Sequence, residues 1–395
     1  MLGVALAFVW FAAISLALVG CAAIERKARV SLHADRPGFG PRRALWGGGL
    51  EWPPGHSMVA RALAGGARIV RARTIVSERA RGLRFTARAV ACIALASGLA
   101  LVPFAGRLGS GPDALPLVVV DLEHGLVALI LFVLLAAIAQ VAVGLSESSV
   151  FARLACVRLA GRVLALMATF AVVLAPLALD AGSLRIHAIA LDQQALFAPL
   201  APLVGLAGAE TTGPAAAFAE ALRLPAWFVF RQPLTALLFV PVLGLLTRRP
   251  LALDPVGGSV RLSAFGHDDD PGELYWARAE ERLAAVLGAA LFVALFLGAG
   301  AIPYLPSERI VAPLVPLFGV GLPALLAAVI EIGVFVVKLA LVLALVARAA
   351  RATPALRDDQ WIRIVTRRML PLAFSNLLLV AAFSLLAEAA RRGAA

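Results

Sequence analysis

The sequence predicts an all-α integral membrane protein with about eight spanning helices and one amphipathic helix on the membrane surface. Three observations predict it. Of the 395 residues 61% are hydrophobic and only 15% charged, the mean hydropathy is +0.91, and basic residues crowd into alternate connections between apolar runs. A soluble domain carries roughly 25% charged residues to cover itself, so no soluble fold could hide this much apolar surface. Disorder needs the opposite composition. The net charge of +12 would suit a nucleic-acid binder, but the positive charge sits in particular inter-span loops, which excludes that class. Cys21, Cys92 and Cys156 are far apart, each in or beside an apolar run. They read as small core residues, and no Cys or His spacing supports a metal or iron-sulfur centre.

A spanning helix needs about 20 mostly apolar residues. Runs of that kind lie near residues 2–24, 86–106, 116–143, 159–179, 228–247, 283–303, 319–347 and 369–389. The first lacks a basic leader and runs straight into Glu25-Arg26-Lys27, so it reads as a retained span and not a cleaved signal. Ala195 to Ala209 is shorter and holds Pro199 and Pro202, which suits an interfacial or re-entrant stretch.

Orientation follows from the positive residues, which are retained in the cytoplasm. The segment from Arg26 to Arg88, which reaches into the start of span two, carries 14 of the 36 Lys and Arg, whereas the second and sixth connections carry one each, Arg107 and Arg309. The fifth and seventh connections are again arginine-rich, the third adds Arg153 and Arg158, and the long fourth has only Arg185 and Arg223. Odd loops are therefore expected in the cytoplasm and both termini on the other side. Within the first loop, Val59, Leu63, Ile69, Val70 and Val76 alternate with Arg61, Arg68, Arg71 and Arg73, the pattern of a helix lying on the membrane. Gly65-Gly66 weakens it by roughly 1 kcal/mol per glycine.

Charges at membrane depth cost roughly 2.5 to 3.5 kcal/mol each, so each needs a reason. Glu331 and Lys338 lie inside span seven, two turns apart on one face and too distant to pair directly. Each should seek a polar partner on another element, either as packing or as part of a proton path. Glu280 and Glu281 open span six, after the acidic stretch His267-Asp268-Asp269-Asp270 and Glu273. Acids that lead directly into a span suffer desolvation and mutual repulsion, which raise their pKa values toward the range of proton relays. No phosphate-cradling loop, zinc-protease motif or nucleophile triad occurs.

Taken in order, these features resemble the eight-span membrane protein of NADH-quinone oxidoreductase, respiratory complex I, that builds part of the quinone chamber. The resemblance rests on Glu25-Arg26-Lys27 at the end of span one, Arg36-Pro37-Gly38 and Gly40-Pro41 after it, and Asp121 with Gly125-Leu126 at span three. Gly144 and Arg158 keep the family's separation. Leu295-Phe296-Leu297-Gly298-Ala299-Gly300 ends span six, with Glu281 upstream of it. Arg351-Ala352-Thr353-Pro354, Arg357, Asp359-Gln360 and Leu370-Pro371-Leu372 make the strongest match.

The resemblance implies a subunit of a bacterial inner-membrane complex without redox centres of its own. Flavin and iron-sulfur clusters would sit in neighbouring soluble subunits, and quinone would be the substrate. Quinone would enter between spans one and six and the surface helix, with Glu25, Arg26 and Arg36 at the chamber and Arg68 in place of a family lysine. Arg357 and Asp359 would support it from the seventh loop, and Glu273 and Glu281 would belong to the acidic funnel that couples quinone chemistry to protons. The chain departs from the family at Leu166-Met167, where a Tyr-Glu pair is usual, and at Leu245-Leu246, where an Ala-Glu is usual. The competing expectations are the related membrane subunit of an energy-converting hydrogenase or formate hydrogenlyase, a small-molecule or ion transporter, and a purely structural scaffold.

Overall fold

The computed structural model describes residues 81–108, 115–146, 150–197, 224–247, 271–304, 311–313, 315–318, 321–352 and 358–393. The expected first span, the surface helix and the re-entrant stretch beyond Phe197 lie outside these residues.

Eleven helices occur among the described residues: α1 (Arg81–Ala100), α2 (Gly125–Leu145), α3 (Val150–Ala181), α4 (Ile186–Asp192), α5 (Phe228–Arg231), α6 (Pro233–Thr247), α7 (Pro271–Phe296), α8 (Val315–Phe318), α9 (Gly321–Ala352), α10 (Asp358–Ile364) and α11 (Leu370–Gly393). Among the described residues five stretches are long and apolar enough to cross a membrane, namely Gly82–Ala100, Gly125–Leu145, Cys156–Ala181, Leu322–Ala349 and Ile362–Leu386. With no water in the bilayer to satisfy stray amides, helix is the conformation such apolar runs must take. The only sheets described are two hairpins, β1 (Arg107–Leu108) with β2 (Leu115–Pro116), and β3 (Leu196–Phe197) with β4 (Leu224–Pro225). The chain is an all-α, multi-pass membrane protein.

Helix α1 packs on α2, α2 on α3, α3 on α6, α6 on α7 and α7 back on α1, which closes a ring of five. Its middle is filled by Phe170 of α3, Phe239 of α6, and Phe292 and Phe296 of α7, with Phe292 and Phe296 5.1 Å apart at their ring centres. Helix α9 leans on α7 and α11 on α3, so each has one outer face. On those faces Leu341, Leu345, Leu378, Phe383 and Leu386 are exposed, as apolar residues are where the surroundings are lipid or another apolar chain.

Proline and glutamine set the irregularities. Pro176 lies inside α3, and its carbonyl takes a hydrogen bond from Gln232, which separates α5 from α6. A π-turn, Val365–Met369, joins α10 to α11 just ahead of Pro371. Proline has no N–H for the carbonyl four residues earlier, and the wider turn absorbs the loss. The apolar run expected as span six is helical only as far as Phe296, and the run expected from residue 116 is helical only from Gly125.

Candidate functional site

Helix α7 is the most buried element, and ionisable groups gather at both its ends. Its stem from Ala284 to Phe296 is apolar, with Leu287, Leu291, Val293 and Phe296 almost fully enclosed. The first cluster lies where the arginine-rich loops begin. Glu280 is only 3% exposed, and its Oε1 accepts a hydrogen bond of 2.8 Å from Gln140 Nε2 on α2. Arg84 and Arg88, one turn apart on α1, are 2% and 4% exposed. They flank Phe85, whose ring meets Trp276 of α7 edge-on at 6.3 Å, one turn before Glu280. One level of the bundle thus holds two buried guanidinium groups, a carboxylate and a carboxamide, beneath which the stem of α7 from Ala284 to Phe296 carries only apolar side chains. Charges desolvated together in this way respond strongly to any new charge nearby.

The second cluster lies at the far end of α7, where the helix is opened by a side chain. Gln193, fully buried at the end of α4, accepts from Gly298 N at 3.0 Å and donates to Ala294 O at 3.0 Å. Those two backbone groups would otherwise bond to each other in the next helical turn, so the carboxamide is inserted into the helical ladder. The same Oε1 accepts from Phe228 N at the start of α5. Gly298 and Ala299 then adopt positive φ, 66° and 49°, and the chain turns away. Lys338 of α9 caps the opened end, its Nζ donating to the carbonyls of Leu297, Ala299 and Ala301 at 2.7, 3.0 and 2.8 Å, with the Trp227 ring 4.3 Å away. Glu331, also buried, accepts from Gly106 N at 2.7 Å. The expected search of Glu331 and Lys338 for polar partners on other elements is met in this way.

Beyond this end, Arg231 bridges Asp180 and Asp192 at 2.8 and 2.5 Å, and Arg185 pairs with Glu123 at 2.6 Å. A polar chain runs inward from there: Gln232 donates to Asp180, Thr235 donates to Gln232, and Asn376 of α11 donates to Thr235. His187, at the start of α4, is 6% exposed, and neither ring nitrogen has a hydrogen-bond partner among the described residues. Burial lowers its pKa from 6.5, with Arg107 acting in the same direction and Asp121 opposing.

Of the residues singled out in the sequence, Glu281 stands half-buried beside Glu280 at the head of α7. Glu273 lies in the first turn of α7 and Asp359 in α10. Glu25, Arg26, Arg36, Arg68 and Arg357 lie outside the described residues. The sequence placed Glu280 at the head of a span but did not choose it over its neighbour. Arg84, Gln140 and Gln193 were not singled out at all. Their only signal was a polar residue in or next to an apolar run. Leu166 and Met167 pack in the core. Cys156 is buried, its Sγ donating to Val141 O, and Cys92 is partly buried. Among the described residues no group of three or more His, Cys, Asp or Glu could hold a metal.

An all-α, multi-pass membrane protein with buried ionisable groups at both ends of a core helix defines a class of proteins that handle charge within the bilayer. The NADH dehydrogenase family model matches residues 5–253. The chain belongs to that family, as a complex I-type membrane subunit of a multi-subunit NADH dehydrogenase. The match ends before α7, so Glu273, Glu281, Arg357 and Asp359, including the stretch of strongest sequence resemblance, lie beyond it. None of the curated proteins matches the chain.

Proposed function

We propose that this chain builds part of the quinone chamber of a proton-translocating NADH:quinone oxidoreductase in a bacterial inner membrane. The reading is carried by one observation: buried Glu280, held by Gln140 on the level of Arg84 and Arg88, at the arginine-rich end of the bundle. That end faces the cytoplasm under the positive-inside rule, where soluble partner subunits carrying flavin and iron-sulfur clusters deliver electrons. Quinone enters from the lipid between the first span, α7 and the surface helix. Glu25, Arg26, Arg36 and Arg68 meet it on one side, and Arg357 and Asp359 brace the chamber from the loop before α11.

Reducing a quinone to a quinol takes up two electrons and two protons. Cationic side chains favour the anionic states on the way, as preorganised charges do in a water-poor site. Glu273, Glu280 and Glu281, strung over the first turns of α7, supply carboxylates that answer the change of charge by binding or releasing protons. This is how quinone reduction is coupled to proton movement.

The test is purification of the chain from detergent-solubilised membranes, with identification of its partners and an NADH-to-quinone assay on the eluate. Co-purified flavin and iron-sulfur subunits with inhibitor-sensitive quinone reduction are the expected result. A lone chain, or a hydrogenase as partner, would overturn the reading.

A further inference from the structure

The chamber reading leaves the far end of α7 unused, although two ionisable side chains lie there inside a spanning helix. Three backbone carbonyls converge on the Lys338 ammonium, with an aromatic face beside it. Carbonyls at the open end of a broken helix make a site for a monovalent cation, since they carry the negative end of the helix dipole. Here the cation is tethered to the protein and can lose a proton, which no metal ion can do.

The acceptor, Glu331, lies on the same helix as Lys338, its carboxylate held by Gly106 N. Gly300 sits between two of the capping residues, Ala299 and Ala301, and a Cβ on it would stand 2.5 Å from the carbonyl of Glu331 and 2.8 Å from that of Phe104. The cap, the backbone of Glu331 and the Phe104–Gly106 loop therefore cross at one point. A lysine side chain leans toward the N-terminus of its own helix, which on α9 is the direction of Glu331.

We propose that Lys338 and Glu331 form a proton-loading pair at the far end of α7. In its charged state the ammonium staples the broken end of the helix; in its neutral state the proton has passed to Glu331 through bridging water, which accepts one proton as it gives up another, and the staple is released. One N–H bond of the ammonium breaks, one O–H bond forms on the carboxylate, and the electron pair stays on nitrogen, so both groups become neutral and no other reactant is consumed. Loss of the staple frees three carbonyls and lets the end of α7 shift, which links this pair to Glu280 at the other end of the same rod. Among the described residues the other charged or titratable groups around this corner include Arg107 and Asp121 on the connection between α1 and α2, Tyr304 after α7, His187 and Asp192 on α4, and Arg231 at the end of α5, the last held by Asp180 and Asp192. The proposal rests on the chain being a complex I-type subunit that couples electron transfer to protons.

Lys338→Arg and Glu331→Gln separate this role from a mere helix cap, because arginine can still donate to carbonyls but keeps its proton. Both variants are assayed in membrane vesicles containing the whole complex, for NADH-to-ferricyanide rate as a measure of assembly and for protons moved per electron during quinone reduction. The expected result is a near-normal ferricyanide rate with the proton ratio halved or lower in both. A wild-type ratio in an assembled Lys338→Arg complex, or in Glu331→Gln, overturns the proposal. Should Lys338→Arg fail to assemble, Glu331→Gln decides by the same ratio. Wild-type vesicles that oxidise NADH without reducing quinone would instead overturn the chamber reading, and the pair with it.

Discussion

Glu280 and Glu281 are neighbours in the chain yet stand about 100° apart around α7. One therefore faces the ring of helices and the other its margin. Glutamine at position 280 can still accept from Gln140 but carries no charge, whereas leucine does neither. Glu280→Gln is thus expected to assemble normally and to reduce quinone at about one-tenth of the wild-type rate or less, as for loss of an acid–base group. Glu280→Leu should also lose about 0.5 to 1.5 kcal/mol of stability, because half-buried Gln140 loses its hydrogen bond to the carboxylate. Quinone-reductase assays and thermal melts of the purified protein check both. His187 allows a pH test. Its folded pKa lies below 6.5, so the unfolded chain binds the extra proton first, and stability present above pH 6.5 is lost as pH falls toward the lowered value. Melting temperatures measured between pH 7 and pH 5 should show this slope, and His187→Phe should flatten it. The presence of carboxylates at the head of a span was legible in the sequence. Which of the two is buried was not, because that depends on where α1 and α2 lie against α7.

At the scale of the element, the apolar runs were legible because the bilayer leaves them no alternative to helix. Their interruptions were not. The break in α7 is made by a glutamine about a hundred residues earlier, and nothing in Leu297-Gly298-Ala299-Gly300 says that Gln193 will enter the ladder there. The glycines alone were suggestive. Gln193→Leu should destabilise the protein by about 1 to 3 kcal/mol for each of Gly298 N, Phe228 N and Ala294 O that it leaves unsatisfied. A melting temperature unchanged from wild type would mean that the helix simply closes its own ladder. The expected span from residue 228 to 247 likewise divides at Gln232, whose carboxamide is committed to Pro176 and Asp180 of another helix.

Across the whole molecule, hydropathy and the distribution of arginine suffice to assign a multi-pass, all-α membrane protein, and composition carries that much without knowledge of any contact. The closure of five helices into a ring is a matter of which runs meet, and a single sequence does not encode that in any readable period. The stem of α7 inside that ring has an electrical meaning. From Glu280 to Phe296 the helix rises about 24 Å, and from Ala284 onward its own side chains are all apolar. Moving one elementary charge across a membrane potential of 100 mV takes about 2.3 kcal/mol, and a wet path through the bundle would let that energy drain away as heat. A dry stem with ionisable groups only at its two ends behaves as the dielectric of a capacitor, so the chain can stand in an energised membrane without short-circuiting it.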